Sequence, residues 1–99
     1  MRLKVAKALY GGEYFVSFKT LGFSTREKEK IDKFGSPQID FSSDGLGSRK
    51  LENLDVTVKC DSPEKAEDFI LETKDKIKER LGELQDMVDT FSGEEEMDL

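Results

Sequence analysis

Residues 61–91 read DSPEKAEDFILETKDKIKERLGELQDMVDTF, and the reading of this stretch decides the fold. Ser62 supplies a hydroxyl that accepts a bond from an orphan backbone N–H at a helix start. Pro63 follows at the first helical position, where its missing N–H costs nothing. Glu64, Glu67 and Asp68 meet the positive end of the helix dipole. Beyond them Ala66, Ile70, Thr73, Ile77, Leu81, Leu84, Val88 and Phe91 recur at steps of three and four. At about 100° per residue they fall within roughly 40° of one line, with Phe69 and Met87 on one shoulder. Glu64, Asp68, Glu72, Asp75, Glu79, Glu83 and Asp86 line the opposite side. Lys74, Lys76, Lys78 and Arg80 take the flanks, where their stems can lie along the apolar edge while the charge stays in water.

As one helix residues 63–91 span about 43 Å. Ordinary strands reach about 17–20 Å. Such a helix overhangs any sheet this chain can build. The apolar stripe keeps its phase through Gly82, so the spacing predicts a continuous helix whose far end meets a partner. The residues expected to make that contact are Leu81, Leu84, Val88 and Phe91, and the expected partner is a second copy, giving a homodimer. The competing reading is a helix bent at Gly82 and wrapped on its own core.

Working outward, the strand before the helix is plain. Leu54, Val56, Val58 and Cys60 alternate with Asp55, Thr57 and Lys59, the period of a half-buried strand. At the other end of the chain, residues 2–10 begin with Leu3 and Val5 facing one way and Arg2 and Lys4 the other. Gly11-Gly12 is a hairpin turn, and residues 13–21, rich in aromatic and β-branched side chains, return as its second strand. Ser24-Thr25-Arg26-Glu27 is a capping box opening a short helix to Phe34. Gly35 and Pro37 stop it. Residues 38–42 give a short strand with Ile39 and Phe41 inward, and Asp44-Gly45 a turn.

The expected fold is therefore α+β in the order ββαββα. One four-stranded, mainly antiparallel sheet carries the long helix on one face, with the short helix at an edge or end. The expected core is Leu3, Val5, Val16, Phe18, Ile31, Ile39, Phe41, Leu54, Val56, Val58, Phe69, Ile70, Ile77, Leu81 and Leu84. A chain of 99 residues suits one domain, 1–91. Residues 92–99, SGEEEMDL, are expected to be an acidic disordered tail.

The charge is mixed but unevenly placed. Residues 1–33 hold eight Lys/Arg against four Asp/Glu, whereas residues 61–99 hold five against fourteen, within a net charge of −6. The acidic helix face offers a docking surface for a basic protein partner, imitating a nucleic-acid backbone. The N-terminal sheet offers the reverse: Arg2, Lys4, Lys7 and Lys19 with Tyr10, Tyr14 and Phe15 form a candidate face for single-stranded nucleic acid. The net charge and the interleaved Glu27, Glu29 and Asp32 weigh against that reading.

Chemistry is harder to place. There is no histidine, which removes the commonest general base and the usual zinc ligand. The one cysteine, Cys60, lies on an apolar strand face and reads as a buried structural thiol rather than a nucleophile. Asp40-x-Ser42-x-Asp44-Gly45 matches the opening of a calcium loop, but Leu51 stands where a bidentate glutamate belongs. Gly45-Leu46-Gly47-Ser48-Arg49-Lys50 resembles a phosphate cradle yet precedes a strand rather than a helix. We expect no catalytic residue, no metal and no cofactor. A lone cysteine, no signal peptide and no run of about 20 apolar residues lead us to expect a cytoplasmic protein without a membrane partner. The function expected is a non-enzymatic interaction module that self-associates; an acidic adaptor or inhibitor of a nucleic-acid-handling protein is the alternative, with direct nucleic-acid binding third.

Overall fold

The C-terminal segment is a single helix, α2, Pro63–Thr90, unbroken at Gly82. The structure, a computed structural model, describes residues 1–90 together with Glu94, Glu96, Met97 and Asp98, and of Val88 only the backbone. Phe91 and part of the expected acidic tail lie outside the described residues. Ser62 caps α2 as its chemistry requires: its hydroxyl accepts from Lys65 N–H at 3.2 Å and its carbonyl from Ala66 N–H at 3.1 Å.

Ahead of α2 run strands β1 (Arg2–Tyr10) and β2 (Glu13–Gly22), helix α1 (Thr25–Phe34), and strands β3 (Gln38–Phe41), β4 (Gly47–Lys50) and β5 (Asp55–Cys60). Short 3-10 turns at Ser42–Asp44 and Leu51–Asn53 link the last three. The α+β class stands, but the single four-stranded sheet does not. Five strands form two sheets, a three-stranded one in the order β1-β2-β5 and a two-stranded hairpin of β3 and β4. All pairings are antiparallel.

The missing strand is GSRK, residues 47–50. Three of its four side chains are exposed, so it carries no apolar alternation to read. It is a strand because Gly45 takes a left-handed φ of 78° and turns the chain back onto β3. That hairpin pairs β3 with β4 alone and shares no ladder with the larger sheet. Leu51, fully buried, was absent from the expected core for the same reason. Its backbone N–H donates to Pro37 O at 2.9 Å, while Thr20 Oγ1 donates to Leu51 O at 2.6 Å and accepts from Leu54 N–H.

One face of the three-stranded sheet is covered. Val16, Phe18, Val56, Val58 and Cys60 meet Ala66, Phe69, Ile70 and Ile77 of α2, with Ile39, Phe41, Leu51 and Leu54 closing one cluster. Leu3, Val5 and Leu81, expected inside, are half-buried at its margin. Thr73 Oγ1 is buried in α2 without a hydrogen-bond partner among the described residues, a local cost of roughly 1–3 kcal/mol.

Helix α1 opens with the capping box intact: Glu27 N–H donates to Ser24 Oγ, and Ser24 N–H donates to Glu27 Oε1 at 2.9 Å. Its main packing partner is α2 rather than the sheet. Ile31 of α1 and Leu84 of α2 are both buried, outside the main cluster, and Lys30 Nζ bonds Gln85 Oε1. The short helix thus covers part of the overhang of the long one.

Gly82 is exposed, and a Cβ built there meets nothing within 4 Å. Gly82→Ala should therefore raise stability by about 0.5–1 kcal/mol, the entropy that glycine costs a helix interior. A urea melt reads this as a higher midpoint; a lower one would mean that the helix needs to bend at this residue.

Candidate interaction surfaces

Three surfaces remain after the core is accounted for. The first is the distal end of α2. Of the four residues expected to mediate self-association, Leu84 is 3% exposed, taken up within its own chain, and Leu81 is half-buried. Phe91 and the Val88 side chain lie outside the described residues. The exposed apolar group here is Met87, 46% accessible. It borders a shallow depression with Phe34, Asp86 and Thr90. The contact of α1 with α2 could not be read from the sequence, because Ile31 and Phe34 fit a sheet or a helix equally well.

The second surface is the acidic side of α2. Glu64, Asp68, Glu72, Asp75, Glu79, Glu83 and Asp86 are all exposed. Of these only Glu83 forms an ion pair among the described residues, with Arg80 at 2.9 Å. The stripe therefore keeps most of its negative field.

The third is the open face of the three-stranded sheet. Register decides its membership. Lys4 faces Lys19, Ala6 faces Ser17, Ala8 faces Phe15 and Tyr10 faces Glu13; Phe15 in turn faces Lys59 and Ser17 faces Thr57. These share the side away from α2, since Val5, Val16 and Val58 alternate onto the covered one. Lys7 and Tyr14, expected on the same face as Lys4 and Phe15, are on the covered side. Lys7 pairs with Glu67 of α2 at 2.6 Å, and Tyr14 packs against the core.

The other candidate chemistries resolve into structure. The Asp40 carboxylate accepts from the Ser42 hydroxyl and from Ser42 N–H at 2.8 Å, which together hold it below the usual carboxylate range. It closes a turn. No cluster of three or more Cys, Asp or Glu suited to a metal occurs among the described residues. Burial, then the carboxylates of Asp44 and Asp61, push the Cys60 thiol up, which disfavours the thiolate. The bond to Glu13, at 2.7 Å, raises Lys59 above the ordinary lysine value. No described helix is long and apolar enough to cross a membrane. No protein-family model, curated protein or solved structure matches this chain.

Glu27 stands apart as a charged tie. Burial acts to raise its carboxyl, but a bond from the Met1 ammonium at 2.6 Å and bonds with Ser24 outweigh it and leave the pKa lowered. Glu27→Gln keeps the capping acceptor and removes the charge. Because the folded-state pKa is the lower one, the wild-type advantage is complete above the unfolded value of about 4.3 and is lost as pH falls through the folded value. Urea melts should show the gap between wild type and Glu27→Gln widest near neutrality and closing in acid; a gap independent of pH would contradict the ion pair.

Proposed function

We propose that this protein is a non-enzymatic interaction module that forms a two-fold homodimer through the distal end of α2 together with α1. The observation that carries this reading is Met87, an exposed apolar side chain at the end of a helix that outruns its sheet, with half-buried Phe34 beside it. The charge around it has both signs. Lys33 lies in the last turn of α1, and Asp86 and Asp89 are exposed on α2. A two-fold contact is self-complementary: what one copy's Lys33 does for its partner's acids, the partner's Lys33 does in return. The apolar centre is small, which suits a concentration-dependent dimer rather than an obligate one.

A second reading rests on the unpaired carboxylates of α2. Six exposed acids in a row, held on a rigid helix, suit docking into a basic groove of a nucleic-acid-handling protein. Such a contact weakens as salt rises. A bait of this protein that retains the same partners equally at low and high salt would speak against charge imitation.

Light scattering over a range of concentrations tests the dimer. The expected result is a mass rising toward twice the monomer, with Met87→Glu holding the protein monomeric at an unchanged melting temperature. A monomer mass at every concentration would sink the proposal. Leu84→Asp should behave differently, destabilising the fold by about 3 kcal/mol or more, because a carboxylate would be buried between α1 and α2 without a partner.

A further inference from the structure

The uncovered sheet face has an order that self-association at the far helix end does not use. Lys4 and Lys19 stand directly opposite each other across β1 and β2. Both are exposed, and neither forms an ion pair among the described residues. Like charges in direct cross-strand register are destabilising; Asp55, opposite Lys19 on β5, offsets one of the two cations and leaves Lys4 without an opposite charge in register. Arg2 lies two residues along the same strand and is also exposed. Next along the face come Ala6, Ser17 and Thr57, small side chains that keep the floor low. Then come two rings, Phe15, half-buried, and Tyr10, 80% exposed. From the lysine row to the Tyr10 row is three two-residue steps, about 20 Å.

We propose that this face binds single-stranded nucleic acid, with Lys4 and Lys19 on the phosphates and Tyr10 and Phe15 as stacking platforms for bases. A cationic end, a flat floor and exposed rings are the parts such a site uses. A second copy fits less well, since two such faces would oppose lysine to lysine. Two acids share the face, Asp55 beside Lys19 and Glu13 beside Lys59, against the three cations Lys4, Lys19 and Lys59. The α2 carboxylates lie on the far side of the molecule, with the sheet and the packed core between. At physiological ionic strength the Debye length is about 8 Å, comparable to the roughly 10 Å between packed layers. Glu13 is already neutralised by Lys59.

The test is fluorescence anisotropy of the full chain with labelled oligothymidylate and, in a second arm, oligouridylate. Saturable binding of either is expected. Its affinity should fall with salt, with a log–log slope of about −0.7 for each phosphate neutralised. Joint replacement Lys4→Glu and Lys19→Glu should weaken binding by about tenfold or more and flatten that slope by about 1.4. Tyr10→Ala should weaken it by about fivefold or more with the slope kept. All three side chains are exposed, so the fold should survive, which circular dichroism checks. Absence of binding, or binding indifferent to these variants, would overturn the proposal. So would a polyglutamate probe bound as tightly, which would assign the face to an acidic protein. A dimer that the two lysine reversals abolish would assign it to a second copy and overturn it equally.

Discussion

Phe69 holds the three layers of this molecule in one place. Its ring meets Phe18 of β2 edge-on, with centroids 5.6 Å apart at 73°, and Phe41 of β3 at 6.2 Å. Phe18 belongs to the three-stranded sheet, Phe41 to the small hairpin and Phe69 to the long helix. Each contact adds roughly 0.5–1.5 kcal/mol to the burial of the rings themselves. More to the point, the two-stranded hairpin shares no hydrogen-bond ladder with the larger sheet. Side-chain packing, in which the rings of Phe41 and Phe69 take part, and the bond from Lys76 Nζ to Asp40 O at 3.0 Å therefore fix its position.

From that centre the helix runs in two directions with different support. Its first half, Ala66 to Ile77, lies over the sheet and is buried against it. Past Leu81, which still reaches the margin of the core cluster, the helix rests on α1, and α1 is itself tied down by a few groups: Ile31, Phe34, the Lys30–Gln85 bond and the Glu27 ammonium pair. The distal end is thus the less strongly held part of the fold, and it is also where an apolar side chain remains at the surface. The uncovered sheet face is the other unfinished boundary. The two lie in different parts of the structure, so a dimer at one leaves the other accessible.

The elements with a periodic signal were legible in the sequence. Val56, Val58 and Cys60 alternate into the core as written, the Ser24 capping box forms, and α2 passes Gly82 without a break because its apolar stripe never changes phase. What could not be read has a common cause. Strand β4 is polar, and its existence follows from a turn at Gly45 and a partner strand rather than from its own residues. Leu51 sits alone among Lys50, Glu52 and Asn53, and its burial depends on the contacts of Thr20 and Pro37, remote in sequence. The fate of Leu84 depended on where α1 would lie, a tertiary choice that no local pattern encodes. Likewise the sheet's cations divide by strand register. Lys7 turns toward Glu67 while Lys4 turns away, a separation that follows the pleat but needs the pairing to be known.

Strand β1 ends the sheet, pairing with β2 alone among the described residues. Its outer rim is a nine-residue row of peptide groups, the kind of template on which fibrils grow by adding copies of the same chain. Arg2 and Lys4 are exposed along that rim, and any copy aligning there brings the same two cations with it. Each newcomer would thus carry its own repulsion to the rim, the device by which charged edges oppose runaway stacking.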